Sequence, residues 1–319
     1  MKTFLIAAAA LAALFFLLTF AVSAIAQRRF VHHTPAGKNE EAYWTRMTAI
    51  YPKEVTEAAN ALRKRLKETS VVNNRGNRVT AWYAPTGKPS RGVALLLHGY
   101  NGCYLQMLPY ALHWIDNLGY DILIPNWENH ADSEGDAITC GWRERDDLLL
   151  WMDEARRLFP SSGERIVLHG VSMGAATALL RSADPRVVAV VEDCGYSDVY
   201  GMTLTLFRRM HMPPRVCAFF LNVCNRLREG FSLFSVRPYE AVAGSSAPLL
   251  CIHGEKDALV PRSMMDKIRS AKKKGPVYAW SVPDAGHARS LATRFSEYGH
   301  RLEEFMGKVQ DPSFPAKSC

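Results

Sequence analysis

The sequence predicts an α/β fold, in which helices flank a mostly parallel central sheet and a small helical cap covers part of it. Short apolar runs such as 93–97 and 165–168 alternate with helical stretches, as expected of strands that are buried on both faces. More than fifty residues separate the apolar runs at 187–191 and 248–253. One crossover helix needs far fewer, so we place a cap insertion at about 196–240.

Residues 4–26 form a nearly uninterrupted apolar segment next to Lys2 and Arg28, and two interpretations fit it. Residues 24–26 satisfy the small-x-small rule for a cleaved signal peptide, which the sequence slightly favours. About 20 apolar residues also suffice for an uncleaved membrane anchor. Both interpretations assign residues 1–26 to targeting. Both also predict an extracytoplasmic protein, either secreted or periplasmic after cleavage or anchored to the membrane by residues 4–26.

The next segment, residues 27–78, reads as a helical prelude to the main domain. Its apolar residues recur at spacings of three and four from Trp44 to Leu66, with a break at Pro52, which is typical of helices with one buried face. Strand and helix signals then interleave without a linker, so we assign residues 79–310 to one domain and 311–319 to a C-terminal tail.

The most informative motif is the segment Gly170-Val171-Ser172-Met173-Gly174, which lies between a strand and the helical stretch 175–180. A serine in such a sharp strand-to-helix turn projects its hydroxyl from a strained backbone. The flanking glycines leave room for the neighbouring strand and helix. Ser172 is therefore the candidate nucleophile.

A serine hydroxyl needs a base and an orienting group before it can attack a carbonyl carbon. Asp257 follows the apolar run 248–253, and His287 follows the run 277–282. The chain order Ser, Asp, His and the strand-end positions predict Asp257 as the orienting acid and His287 as the general base. Asp193, which also ends a strand, is the alternative acid.

The remaining catalytic part is a pair of backbone N–H donors for the developing oxyanion. The strand 93–97 ends in a glycine-rich turn that presents Tyr100 as the first donor, with Asn101 as the alternative, and Met173 supplies the second. A His-Gly pair ends each of three apolar strands, which favours a packing role below the site for His98, His169 and His253.

These motifs resemble those of exported or membrane-anchored bacterial α/β-hydrolases of the serine aminopeptidase S33-like or dienelactone-hydrolase-like kind. The resemblance extends from about 79 to 306. It implies the Ser-Asp-His triad and hydrolysis of an ester, thioester or amide. The chain departs from the pattern after the strand 121–124. There, relatives tend to have Asp-x-Arg-x-x-Gly-x-Ser, whereas residues 126–133 keep only His130 and Ser133 from this loop.

The leading functional prediction is a serine hydrolase that cleaves small-molecule carboxylic esters or related acyl substrates through an acyl-enzyme. A peptidase, aminopeptidase or acyltransferase on the same site is the alternative, and a catalytically inactive binding protein is a third. The apolar cap favours acyl or aryl groups. The residues expected to line the substrate pocket are Asn101, Met210, Met212 and Phe220.

The charge distribution and the spacing of cysteines and histidines limit the partners and cofactors that we expect. The formal net charge is +8, but the basic residues are scattered without interleaved aromatic residues, so we expect no nucleic-acid partner. The cysteine and histidine spacings match no zinc motif, and no glycine-rich phosphate loop is present, so we expect neither metal nor cofactor.

Of the seven cysteines, Cys103 and Cys140 are the best candidates for a disulfide, because both follow strand-end loops near the predicted site. Cys251 lies within an apolar strand and is expected to be a buried thiol. Cys217 and Cys224 would be about 10 Å apart along one helix, too far to bridge each other.

Overall fold

The computed structural model describes residues 1–310, apart from the side chains of residues 5 and 12, so the predicted tail 311–319 lies outside the described residues. Its sheet has eight strands in the order β1-β2-β4-β3-β5-β6-β7-β8. β1 is antiparallel to β2, and β2 to β4, while the other neighbours are parallel. The strand bounds are β1 Lys67–Val72, β2 Arg78–Ala84, β3 Val93–Leu97, β4 Asp121–Pro125, β5 Ile166–Val171, β6 Val187–Asp193, β7 Leu249–Gly254 and β8 Val277–Val282. The predicted mostly parallel sheet is confirmed.

Helices flank the sheet, as predicted. Their bounds are α1 Lys2–Val31, α2 Glu40–Thr48, α3 Lys53–Arg63, α4 Tyr104–Leu112, α5 Glu144–Leu158, α6 Met173–Leu180, α7 Val199–Arg209, α8 Pro214–Glu229, α9 Pro238–Val242, α10 Ser263–Ala271, α11 Ser290–Thr293 and α12 Phe295–Gln310. The cap consists of α7 to α9 between β6 and β7.

Two cores cover the two faces of the sheet. Along β3, Val93, Leu95 and Leu97 belong to one core, whereas Ala94 and Leu96 belong to the other, and all five are fully buried. The first core includes residues of α5, α6, α10 and the cap, and the second includes residues of α2, α3, α4 and α12. A functional site is therefore expected at the carboxyl ends of the parallel strands and not on the faces of the sheet.

The segment 27–78 is not wholly helical. It begins with the end of α1 and contains α2 and α3, separated at Pro52 as expected, but it also contains the edge strand β1. After Leu66 the chain reads Lys67-Glu68-Thr69-Ser70-Val71-Val72, which has lost the three-and-four spacing and ends in β-branched residues. This composition favours a strand, and pairing with β2 provides the backbone partners.

The N-terminal helix continues through the predicted cleavage site and packs on the cap. Thr19, Ser23, Gln27 and Val31 recur every four residues and are at most 2% exposed. The Ser23 hydroxyl donates a hydrogen bond to the Cys217 carbonyl oxygen (3.1 Å). By its length and composition α1 could cross a membrane, a criterion that a signal sequence also meets.

The predicted disulfide is wrong. Cys103 and Cys140 are free buried thiols, because the first lies in the core on one face of the sheet and the second in the core on the other. Cys251 is a buried thiol, and Cys217 and Cys224 are unbridged, as expected.

Candidate active site

Ser172 lies at the sharp turn between β5 and α6, with φ 56° and ψ −116°. Few non-glycine residues adopt a positive φ, and those that do mark turns or strain. Its neighbours must be glycine, because a Cβ at Gly170 would overlap the backbone of Gly174, and one at Gly174 would overlap the Leu97 carbonyl. The local sequence therefore holds the Ser172 hydroxyl out of the backbone path, where it is partly accessible.

The structure brings the three predicted triad residues together. The Ser172 hydroxyl oxygen lies 2.9 Å from His287 Nε2. On the other side of the ring, His287 Nδ1 lies 2.7 Å from Asp257 Oδ2. These two contacts form one hydrogen-bonded chain across the carboxyl ends of β5, β7 and β8. Such a chain can draw the proton from the serine and hold the imidazole in one tautomer.

Both oxygens of the Asp257 carboxylate form hydrogen bonds, Oδ2 with His287 as described above and Oδ1 with two backbone groups. Its Oδ1 accepts hydrogen bonds from the backbone N–H groups of Leu259 (2.8 Å) and Val260 (2.9 Å). Burial raises the pKa of Asp257, but the hydrogen bond and charge of His287, the Val260 N–H and nearby His253 together bring it below the ordinary value. Asp257 is thus an ionised acceptor at neutral pH, as an orienting acid requires.

The alternative acid, Asp193, faces other partners. Its Oδ1 accepts a hydrogen bond from the Ser290 hydroxyl (3.0 Å), and its Oδ2 accepts one from Tyr298 (3.2 Å). Burial raises the pKa of Asp193 to about 7 despite these donors. Its backbone carbonyl accepts from the Ser172 N–H (2.8 Å), so Asp193 supports the serine turn without contacting the imidazole.

The predicted oxyanion donors border the serine. Among the described residues, neither the Tyr100 N–H nor the Met173 N–H donates to another protein group, so both are free to bind a ligand oxygen. The loop is held from below, where the Gly99 N–H donates to Gln106 Oε1 (2.8 Å) and the Tyr100 carbonyl contacts His130 Nε2 (2.8 Å). The Tyr100 hydroxyl donates to the Phe30 carbonyl.

The loop 126–133 has a positioning role that the sequence did not reveal. His130 holds the Tyr100 carbonyl, as described above. The Trp127 backbone N–H donates to His98 Nε2 (3.2 Å), and the indole N–H donates to the His98 carbonyl (3.0 Å). His98 is fully buried, as are His169 and His253. The retention of His130 was the available signal for this role.

The four predicted pocket residues lie in different places. The Asn101 side-chain oxygen accepts from the Ala36 N–H (2.9 Å), so it holds the N-terminal segment, although Asn101 lines a cavity beside His287. Met210 is 49% exposed at the end of α7, and Met212 packs against the core.

The fourth predicted pocket residue, Phe220, packs edge-to-face against Phe20 of α1, with ring centroids 5.7 Å apart. Met210, Met212 and Phe220 are absent from the linings of the described cavities. For Phe220 the reason is that α1 occupies the surface of α8 that we expected to face a substrate. A small apolar cavity of about 90 Å³ lies between other cap residues, including Met202, Leu206 and Leu221, and two residues outside the cap, Phe30 of α1 and Leu259 after β7.

One group of side chains near the triad has the composition of a metal site. Ligand atoms of Cys194, Asp257 and His287 lie within 4.8 Å of one another. Burial, followed by the neighbouring carboxylates, raises the pKa of the Cys194 thiol far above its ordinary value. Metals bind the thiolate, and the other two residues already bind each other, so this arrangement fits a triad better than a metal ligand set.

The fold and the serine turn define an α/β-hydrolase, and comparison with known proteins agrees. The model of the alpha/beta hydrolase family matches residues 94–297. The chain therefore belongs to this family.

Individual relatives share less than 30% of their aligned residues with this chain. The chain is 27% identical over 236 residues to the uncharacterized protein YqkD of Bacillus subtilis, covering 72% of this chain and 74% of that protein. It is 20% identical over 245 residues to the uncharacterized protein YfhR of Escherichia coli K12, covering 74% and 79%.

Among solved structures, the chain is similar to the Pyrococcus furiosus esterase Pf2001, with a TM-score of 0.63, 22% identity, and coverage of 77% of this chain and 91% of the esterase. It is also similar to the Pyrococcus horikoshii acylaminoacyl peptidase, with a TM-score of 0.59, 21% identity, and coverage of 81% and 45%. At these identities the likeness supports the fold alone.

Proposed function

We propose that this protein is a serine hydrolase that cleaves carboxylic esters through an acyl-enzyme. The observation that carries the proposal is the hydrogen-bonded chain from the Ser172 hydroxyl through His287 to Asp257. Its position supports the proposal as well. Ser172 and the Tyr100 loop follow β5 and β3, neighbours at which the sheet order reverses direction, where α/β proteins bind ligands.

The reaction follows from the geometry. His287 Nε2 takes the Ser172 proton while the hydroxyl oxygen attacks the ester carbonyl carbon. The Tyr100 and Met173 N–H groups donate to the resulting oxyanion, a contribution of roughly 10²–10³ in rate for each donor. Collapse of the tetrahedral intermediate breaks the ester bond, and His287 returns the proton to the leaving alcohol. Water then attacks the acyl-serine with the same base and releases the acid.

The N-terminal helix supports a membrane-anchored, extracytoplasmic enzyme. Cleavage after Ala26 would cut α1 near its C-terminal end and expose Gln27, which is fully buried against the cap. Residues 27–31 would then lose the preceding helical turns. The anchored form is therefore the better of the two interpretations of residues 1–26.

A fluorophosphonate probe, which labels activated serines, tests the enzyme proposal. Wild-type protein should be labelled, Ser172→Ala should not, and the exposed Ser263→Ala should be labelled like wild type. Activity is then measured on p-nitrophenyl esters of increasing chain length beside aminoacyl-nitroanilides. Faster turnover of the nitroanilides would identify a peptidase instead. A folded wild type that reacts with neither probe nor substrates would leave only a binding role for the site.

A further inference from the structure

A cavity of about 340 Å³ lies beside the proposed triad, and its lining includes several tyrosines and two arginines. His287 and the loop residues Gly99 and Tyr100 form its inner side. A Cβ at Gly99 would lie 3.4 Å from the Cβ of Ser172, so the cavity adjoins the proposed nucleophile. Because His287 delivers a proton to the leaving group, the group that departs in the reaction is expected on this side.

The outer wall comes from the N-terminal segment. Residues of α2 and the turn after it, including Tyr43, Arg46 and Tyr51, line the cavity. All three precede residue 94, where the match to the family begins. This wall is therefore built by a segment outside the part of the chain that defines the family.

The polar groups in the cavity are mainly hydrogen-bond donors. Among the described residues, the hydroxyls of Tyr43, Tyr51 and Tyr110 donate to no protein acceptor, although Tyr110 is only 1% exposed. Burial raises the pKa of each of these tyrosines, so the hydroxyls remain protonated. Because Tyr43 and Tyr51 are only half-buried, solvent or a bound ligand supplies the acceptors for these hydroxyls.

Two arginines, Arg46 and Arg289, supply positive charge to the same cavity. Burial raises the pKa of Tyr43, and the charges of Arg289 and Arg46 partly offset that effect, so both guanidinium groups lie near its hydroxyl. Neither arginine forms an ion pair with a described carboxylate. The negative charge of Asp193 adds to the rise in the pKa of Tyr51 and Tyr110 that burial causes. Its carboxylate is already held by Ser290 and Tyr298, as described above.

We propose that this cavity binds a carboxylate carried by the leaving group of the substrate, so that the preferred esters are anionic. The proposal rests on the serine hydrolase function for the position of the scissile bond. A carboxylate supplies only acceptors, which complements a cavity of tyrosine O–H and arginine N–H donors. The side chains of Met47 and Ile50 add apolar wall for the organic part that bears the charge.

Binding calorimetry tests the anion site without requiring catalysis. Benzoate should bind wild type and Ser172→Ala equally and more tightly than the neutral isostere benzamide. The double variant Arg46→Gln/Arg289→Gln should weaken benzoate binding about tenfold, the size expected for loss of charge-assisted hydrogen bonds. The exposed Arg294→Gln, in the next loop and outside the cavity, is the matched control. Benzoate binding no better than benzamide, tighter binding of inorganic phosphate, or no effect of the double variant would overturn the proposal.

Hydrolysis supplies the second readout. The double variant should lower kcat/KM about tenfold for 4-carboxyphenyl acetate and leave it unchanged for the neutral 4-carbamoylphenyl acetate. Equal loss on both esters would overturn the proposal, because it would indicate damage to the triad and not loss of anion recognition. If neither ester is hydrolysed but benzoate still binds as described, the hydrolase function fails while the anion site stands.

Discussion

Gln27 of α1 and Asn225 of the cap helix α8 form a buried amide pair, with Gln27 Nε2 donating to Asn225 Oδ1 at 3.3 Å and both side chains fully buried. Arg228 Nη1 donates to the other Gln27 amide atom, Oε1, at 2.7 Å. Leaving one buried partner unsatisfied costs about 1–3 kcal/mol. The N-terminal helix is thus part of the folded domain.

The first prediction is that α1 is retained. We expect the mature protein to keep the residues before Ala26 and to require detergent for extraction from membranes, because cleavage there would destroy the packing of Ser23 and Gln27 on the cap. N-terminal sequencing and membrane fractionation measure both properties. A mature protein that begins at Gln27 and is released by buffer alone would refute retention.

The second prediction separates the two candidate acids. Asp257→Asn should lower kcat by about 10⁴, the loss typical of removing an orienting carboxylate, because Asp257 alone of the two contacts His287. Asp193→Asn should lose far less activity. Steady-state kinetics on one ester, with circular dichroism as the folding control, decides between them. The reverse ranking in two folded variants would assign the acid to Asp193.

The third prediction concerns the serine turn. Gly174→Ala should destabilise the protein by at least about 2 kcal/mol, because the new methyl group would overlap the Leu97 carbonyl and overpacking has costs of this order. Gly307→Ala, in α12 with open space around the position, should raise stability by up to about 1 kcal/mol. Denaturant unfolding measures both. Equal effects would show that Gly174 is not sterically required.

The fourth prediction is a loss of stability in mild acid. Burial and then the charge of His300 lower the pKa of His113 to about 4, against about 6.5 in the unfolded chain. The unfolded state therefore binds a proton first, and the free energy of unfolding falls as the pH decreases from 6.5 towards 4. This one group contributes on the order of 2 kcal/mol between pH 6.5 and 5.

Denaturant unfolding at a series of pH values checks this contribution. His113→Gln should flatten the pH dependence by about that amount, whereas His211→Gln, at an exposed position in the cap, should leave it unchanged. An identical pH dependence in wild type and His113→Gln would contradict the assignment. Buried His169, whose pKa burial lowers to about 3, accounts for part of the dependence that remains.

Much of the fold and the arrangement of the triad followed from local sequence. Strands such as β3 are apolar throughout, and glycine-flanked Ser172 has few alternatives to a strand-to-helix turn. Once Ser172, Asp257 and His287 were assigned to strand ends of one parallel sheet, their approach followed, because those ends share an edge.

The features that escaped prediction depend on docking between distant segments. Nothing local to Cys103 or Cys140 shows that they belong to opposite faces of the sheet. Phe220 looked like a pocket residue because its partner, Phe20, is 200 residues away on a helix that also resembles a signal peptide. The anion-binding wall at Arg46 and Tyr51 becomes visible only when the N-terminal segment is placed over the Tyr100 loop.

If α1 anchors the protein as proposed, its docking has a geometric consequence. Residues 2–18, which precede the buried stripe, span about 26 Å at 1.5 Å per residue, close to the thickness of the hydrocarbon core. The same helix then continues into the domain without a flexible linker. The catalytic domain would therefore be mounted on a rigid stalk and held at one orientation to the bilayer, so that the direction from which substrates arrive is set by the helix.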